Sequence, residues 1–382
     1  MSESIAKKMT VLQVLPALES GGVERGTLEV GKFLTSQGHR SIVISAGGRL
    51  VDQLLREGSE HFNWPIGKKS LLTLLLIPKL INFINYHNID IVHVRSRLPA
   101  WICYLALKCI PKNKRPSFIT TVHGTYSINK YSRIMTMGDQ VIVISRKILS
   151  YVTNNYKTPE EKLNLNYRGV DQNEFPYGYQ PSNEWLENWF KTFPETKSKF
   201  LITLPARVTR WKGQEDLILV LAELKNKIPN LHAIVVGEIK SDKLDFYIEL
   251  KNKSKKLGLQ DMITFTSYRS DVKEIMAISN IVLSLSHEPE AFGRTTIEAL
   301  KLGIPVIGYD HGGVKEQLSE VFPEGKVRAR NFHAVARLIY DWHTKMPTVF
   351  RTTAFDLDTM LRNTLSVYEK AQKIKTITSS EK

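Results

Sequence analysis

The stretch Ile281-Val-Leu-Ser-Leu-Ser286-His-Glu-Pro-Glu290-Ala-Phe-Gly293-Arg-Thr-Thr-Ile-Glu298-Ala-Leu300 decides the fold. It opens on an almost unbroken apolar run, crosses a short loop with one proline and one glycine, and enters a helical pattern. A run that does not alternate reads as a parallel strand covered on both faces. Strand, loop and helix in that order make the repeating unit of a doubly wound α/β sheet.

The same unit recurs on both sides of it. In the first half, runs of this kind fall at residues 11–15, 41–46, 89–94, 118–122, 141–145 and 163–167. Helical patterns fit between them: residues 23–37 end at Gly38, and residues 101–110 end at Pro111. The pattern lapses over residues 171–198, which are rich in Asn, Pro, Tyr and Trp and read as the connection between domains. It resumes at 200–205, 233–237, 263–265, 281–286 and 305–309. Two successive α/β series predict two Rossmann-like domains facing each other across a cleft at the carboxyl ends of their strands. The expected division is an N-terminal domain at 1–175, a linker at 176–198, and a C-terminal domain at 199–350. Residues 351–382 then read as a terminal helix, packing back on the first domain, and a polar tail.

Composition agrees. A chain of 382 residues, 42% hydrophobic and 24% charged, is ordinary for a globular protein and fits two domains better than one. Disorder, collagen repeats and coiled coil are excluded. Cys103 and Cys109 cannot build a disulfide framework or a zinc cluster and read as apolar helix residues of a cytosolic protein. The polar segment 1–10 runs straight into a strand, so no signal peptide is expected. Residues 71–84 are the most apolar stretch, too short to span a bilayer and interrupted by Pro78 and Lys79, which predicts a buried or interfacial helix.

The net charge of +15 is unevenly spread. Residues 1–180 carry 23 Lys and Arg against 13 Asp and Glu, whereas the remainder carries 30 against 25. A basic first half suggests an anionic partner: nucleic acid, a phosphorylated glycolipid or a membrane surface. A lysine-rich composition without any partner is the plainer alternative.

Three pieces carry chemistry. Gly21 and Gly22, after the first strand, let the backbone approach a ligand and open a helix whose N–H groups favour an anion. The dinucleotide fingerprint Gly-x-Gly-x-x-Gly is absent there, and an ordinary tight turn explains the pair equally well. In the opening stretch, Glu290 falls on the loop and Glu298 about one turn into the helix, eight positions later. A helix start between two carboxylates can hold a phosphate at the amides of Gly293 and Arg294 while a carboxylate takes vicinal ribose hydroxyls and the other a sugar hydroxyl. The preference of acidic residues for a first helical turn would explain Glu298 but not Glu290. Finally, Arg207 and Lys212 follow the first strand of the second half, where cations can neutralise a diphosphate leaving group without a metal. Solvated surface is the plainer reading of each alone.

Together these pieces resemble the family-four retaining glycosyltransferases of GT-B fold. The resemblance covers nearly the whole chain. Its motifs are the Gly-Gly-x-Glu turn, Thr121-Val-His123-Gly124, Ser145, Gly169-Val170-Asp171, Arg207, Lys212-Gly213, the Glu290-x7-Glu298 pair and Gly303-x-Pro305. More narrowly, Leu15-Pro-Ala-Leu-Glu-Ser-Gly-Gly-Val-Glu-Arg25, His93-Val-Arg95-Ser-Arg97, Tyr167-Arg-Gly-Val-Asp171, Thr209-Arg-Trp-Lys-Gly-Gln214 and Glu288-Pro-Glu-Ala-Phe-Gly-Arg294 look like bacterial lipopolysaccharide-core mannosyltransferases. Many members of the broader family carry Asn where Arg168 stands.

The resemblance implies a role for each matching position. Gly21 and Gly22 would line the donor phosphate and acceptor region, and His123 would bond the hydroxymethyl group of the transferred sugar. Arg207 and Lys212 would stabilise the leaving nucleoside diphosphate. Glu290 would bind donor sugar hydroxyls, with the amides of Phe292, Gly293 and Arg294 closing over sugar and phosphate, and Glu298 would bind the ribose. Gly237 and the loop 267–269, with Tyr268 and Arg269, would form the base pocket. The implied donor is GDP-mannose, with a UDP- or ADP-sugar as the alternative, and no metal or other cofactor is implied. The implied acceptor is an anionic lipid-linked one such as lipopolysaccharide core, reached by an enzyme resting on the cytoplasmic face of the inner membrane.

Four other readings compete. Asp356-Leu-Asp358 has the pattern of a manganese site but opens a terminal helix, where a solvated helix start is expected. His93 and Arg95 follow a strand, where acceptor contact on the one hand, and a packed His with a surface Arg on the other, are equally open. A GT-B sugar-nucleotide epimerase would share the architecture yet need no basic acceptor face. A nucleic-acid-binding protein would need a module or a basic helix with interleaved aromatics, and none is present.

Overall fold

The computed structural model describes residues 8–19 and 21–380. Residues 1–7, on which the absence of a leader was read, lie outside them. The chain divides into two units. One runs up to Tyr167 and takes the chain up again at Asp358; the other is Arg168–Leu357.

The first unit carries a seven-stranded sheet built of β1 (Thr10–Val14), β2 (Arg40–Ser45), β3 (Glu60–Asn63), β4 (Ile91–Val94), β5 (Ser117–Val122), β6 (Gln140–Val143) and β7 (Leu163–Leu165). Their order is β3-β2-β1-β4-β5-β6-β7 and every pairing is parallel. Val11, Leu12, Val14, Ile42, Ile44 and Val92 are buried, as strands covered on both faces require. Helices at Gly22–Ser36, Leu76–Tyr86, Arg97–Cys109 and Arg146–Tyr156 connect them.

The second unit carries six parallel strands: β8 (Phe200–Pro205), β9 (Leu231–Val236), β10 (Ile263–Phe265), β11 (Ile281–Ser284), β12 (Val306–Tyr309) and β13 (Lys326–Val327). Their order is β10-β9-β8-β11-β12-β13. The strand order therefore reverses between β1 and β4 in one sheet and between β8 and β11 in the other. Such switch points splay the loops at the strands' carboxyl ends and are where open α/β sheets bind ligands.

β3 and β13 are edge strands that the apolar pattern did not show. Glu60, Asn63 and Lys326 interrupt them, and no residue of β3 is fully buried. The stretch expected as the connection between domains holds a helix, Asn183–Thr192, capped by the Ser182 hydroxyl, which accepts from Trp185 N at 3.2 Å. Trp185 and Trp189 stack at 5.2 Å, and Trp189 is 2% exposed in a cluster with Leu201, Ile234, Val236 and Ile275. The segment is thus packed into the second unit.

The terminal helix Leu357–Ser380 lies on the first unit. Tyr368 Oη sits 2.7 Å from His93 Nδ1, Asn166 Nδ2 donates to Met360 O and Thr364 Oγ1, and Gln372 Nε2 donates to Asp90 O. His93 also meets Thr121 Oγ1 at 2.6 Å, and Arg95, 4% exposed, donates to Gln13 Oε1. Both are buried, so the expected surface position of Arg95 is corrected: the strand carries it into the interior, where Gln13 takes one end of its guanidinium. Asp356 and Asp358 have separate partners, Lys301 and Gln172 for the first and Arg362 for the second. Cys103 is buried, which pushes its thiol far up, while Cys109 is exposed. Among the described residues, no helix is long and apolar enough to cross a membrane.

Candidate functional site

In the second unit the loops leaving β8 and β11 meet at the switch point. Gly213 has φ +84°, and a Cβ there would run into the carbonyl of Leu285. Only glycine permits so close an approach in that backbone region, and it brings Lys212 beside the loop after β11. Gln214 Nε2 donates to Arg207 O at 3.0 Å and ties off the turn. His287 N donates to Trp211 O at 2.6 Å, so the two loops share a backbone hydrogen bond.

The side chains converge there. Lys212 Nζ donates to Glu290 Oε1 at 2.8 Å, and Ser286 Oγ donates to the same oxygen at 2.5 Å. Both ends of the ion pair are largely shielded, at 14% and 19% side-chain exposure, so water screens it only in part. The ammonium also lies 4.2 Å from the Trp211 ring. Arg207 is exposed at the start of the same loop.

A second helix start braces Glu290 from behind. Gly312 has φ +59°, and a Cβ would lie 2.5 Å from Glu290 O, while a Cβ on Gly313 would strike Phe292. Gly313 N donates to Glu290 O at 2.8 Å, Gln317 Nε2 donates to Phe292 O at 2.6 Å, and His311 Nε2 sits 2.8 Å from Ser286 O. Phe292 is buried. Gly293, φ +81°, is the N-cap of Arg294–Leu302 and no side chain caps that end. The helix start therefore combines a positive dipole end with a glycine entry, the arrangement that favours a phosphate. On the helix, Arg294 Nε donates to Glu298 Oε1 at 2.7 Å, and Glu298 is buried.

Below the cluster, Asp216 in the first turn of Gln214–Leu224 accepts from Tyr309 Oη and pairs with His287 Nε2 at 2.9 Å. Burial, and then the Asp216 carboxylate, push the Tyr309 hydroxyl far above its ordinary range, so it stays a neutral donor. The triad joins a helix start, the end of β12 and the loop after β11, and anchors His287, whose N–H holds the Trp211 carbonyl.

Gly237, after β9, abuts Ala206 and the Arg207 amide, and its N–H donates to Ser267 O at 3.0 Å. Tyr268 is 54% exposed. Arg269 turns back into its own loop: Nε donates to Asp271 Oδ1 at 2.8 Å and Nη2 to Oδ2 at 2.5 Å, with the guanidinium 5.7 Å from the Trp189 ring. Its side chain serves the loop, leaving Gly237 and the backbone of 267–269 as the surface beside Arg207.

In the first unit, Gly21 (φ +146°) caps Gly22–Ser36, and among the described residues nothing lies within 4 Å of where a Cβ on Gly22 would stand. His123 follows β5 and is half-buried, its N–H 3.4 Å from Tyr126 Oη. The assigned residues thus divide: Gly21, Gly22 and His123 on the first unit, the rest on the second.

Sequence reasoning gave no role to Ser286, Asp216, His287, Tyr309 or Gln317. It also passed over His311-Gly-Gly, although a glycine pair opening a helix after a strand is the signal read at Gly21–Gly22.

Residues 20–174 match the family described as Glycosyltransferase Family 4, and residues 187–343 match Glycosyl transferases group 1. A crystal structure of a glycosyltransferase from Rickettsia africae ESF-5 is 34% identical, covering 96% of this chain and 99% of that one, with a TM-score of 0.85. Anabaena Alr3699/HepE, solved in complex with UDP and glucose, is 20% identical over 96% of this chain and 95% of its own, with a TM-score of 0.75. The N-acetyl-alpha-D-glucosaminyl L-malate synthase of Bacillus anthracis is 24% identical over 79% of this chain and 78% of its own.

Proposed function

The chain belongs to the family 4 (group 1) glycosyltransferases and has their GT-B fold, and from that premise we propose that it transfers mannose from GDP-mannose, with retention, to an anionic lipid-linked acceptor of the lipopolysaccharide-core type. The observation that carries the donor side is the Lys212–Glu290–Ser286 cluster, held at a switch point beside the helix start at Gly293.

In this reading the donor diphosphate draws Lys212 away from Glu290. The ammonium, Arg207 and the helix start stabilise the charge that develops on the leaving group, and the freed Glu290 carboxylate takes sugar hydroxyls. The bond from the anomeric carbon to the diphosphate breaks as the acceptor oxygen bonds to that carbon. The acceptor proton passes to the departing phosphate oxygen, so Glu290 is a binding group and not a nucleophile. Glu298 holds the ribose, Gly237 with the 267–269 backbone holds the base, and His123 with Gly21 and Gly22 act from the first unit. Mannose and the lipopolysaccharide-type acceptor are supported by the narrower motif resemblance, and the anionic acceptor also by the basic first half. UDP-glucose is the second reading, favoured by the UDP and glucose bound to the Anabaena neighbour.

Radiolabelled GDP-mannose with a lipid-linked core precursor tests it. Label in the lipid supports transfer. Label recovered only as isomerised sugar nucleotide, or lipid labelled only from UDP-glucose, would overturn the proposal in its mechanism or its donor.

A further inference from the structure

The turn Leu71–Leu75 is a 3-10 helix that points its leucines outward: Leu71 is 85% exposed, Leu72 72%, Leu75 69% and Leu74 46%. This is not a loosely tethered loop. Ser70 caps it, accepting from Leu72 N at 3.2 Å, and buried Thr73 donates to Lys68 O at 2.6 Å. The following helix Leu76–Tyr86 seats Leu80, Phe83 and Ile84 in the core. A rigid anchor therefore holds a contiguous apolar knuckle in water, an arrangement that marks an interaction surface.

Charge says what it meets. Lys68, Lys69 and Pro78–Lys79 are exposed around the knuckle, and no Asp or Glu occurs anywhere from residue 61 to residue 89. Lys79 Nζ stands 4.3 Å from the Trp64 ring. A second copy docked through the same patch would bring lysine against lysine across a twofold axis. An anionic bilayer has instead an apolar layer for the leucines and phosphates for the ammonium groups at matching depths.

We propose that Leu71, Leu72, Leu74 and Leu75 insert into the headgroup boundary of an anionic membrane, with Lys68, Lys69 and Lys79 on the lipid phosphates. The surface gives the proposed lipid-linked acceptor its means of approach and to that extent rests on that reading, but binding is measured without any transfer. The full chain is floated with phosphatidylcholine vesicles and with vesicles containing phosphatidylglycerol, beside a Leu71→Ser, Leu72→Ser, Leu75→Ser variant and a Lys68→Ala, Lys69→Ala, Lys79→Ala variant. Because these side chains are exposed, the fold is expected to persist, checked by circular dichroism. The wild type is expected to float with the anionic vesicles, the leucine variant to lose about tenfold or more in partitioning, and the lysine variant to lose its preference for anionic lipid. Glu290→Gln should float like the wild type. Failure of the wild type to float, equal floating of the leucine variant, or a dimer that the leucine variant dissociates would overturn the proposal while leaving the transfer reaction to its own test.

Discussion

Lys212 and Glu290 hold each other at the switch point of the second sheet, with Nζ 2.8 Å from Oε1 and the Ser286 hydroxyl on the same oxygen. The pair keeps a cation and a carboxylate in contact, each partly neutralising the other. Its two members therefore act as a unit. Lys212→Ala and Glu290→Gln are each expected to lower kcat by about a hundredfold or more, the scale of one lost electrostatic contact to a developing charge. The double variant should lose much less than the product of the two, because the second removal acts on a cluster already broken. Steady-state kinetics of the four proteins checks this, and strict multiplicativity would show two independent groups.

Gly312 is the brace behind Glu290. At φ +59°, with Glu290 O 2.5 Å from where its Cβ would stand, Gly312→Ala combines backbone strain with a collision. A loss of about 1–3 kcal/mol is expected, read as a lower urea midpoint, together with reduced activity. An unchanged midpoint would mean that the loop after β11 is held by other contacts.

Trp189 tests the assignment of residues 183–192 to the second unit. Trp189→Ala removes a buried indole from the cluster with Leu201, Ile234, Val236 and Ile275 and should cost about 3–5 kcal/mol in denaturant unfolding. A mere linker residue would cost under about 1 kcal/mol.

Asp271 predicts the acid limb of stability. Burial works against its ionisation, but the Arg269 fork and the Trp185 Nε1 donor overcome this, and its carboxyl lies below the ordinary value of 3.8. A group with a depressed folded pKa stabilises the fold fully above the unfolded value, and loses that contribution as pH falls through the folded one. The wild type should therefore lose stability below about pH 4 more steeply than Asp271→Asn, measured as urea midpoints at pH 7 and pH 3. Parallel curves would remove Asp271 from the acid transition.

What was legible in the sequence follows from how local the signal is. β8 and the β11–helix stretch read directly because their apolar runs are nearly continuous and both faces are covered. β3 and β13 were invisible because an edge strand needs no such run. The Asn183–Thr192 helix was hidden by its asparagines and tryptophans, although Trp185 and Trp189 stand at helical spacing. Glu290 and Lys212 were legible through their flanking glycines, and the 2.8 Å contact between them was not. Asp216, His287 and Tyr309 were silent for the same reason: His287 and Tyr309 lie 71 and 93 positions from Asp216, and only the sheet order brings them together.

The most direct measurement is transfer of label from GDP-mannose to a lipid-linked core precursor by the wild type and by Glu290→Ala, with thermal unfolding of both followed in parallel. The account predicts labelled lipid from the wild type, about 1% of that rate or less from the variant, and a cooperative unfolding transition in both that shows the variant folded at the assay temperature. Wild-type transfer by a folded Glu290→Ala protein would contradict it.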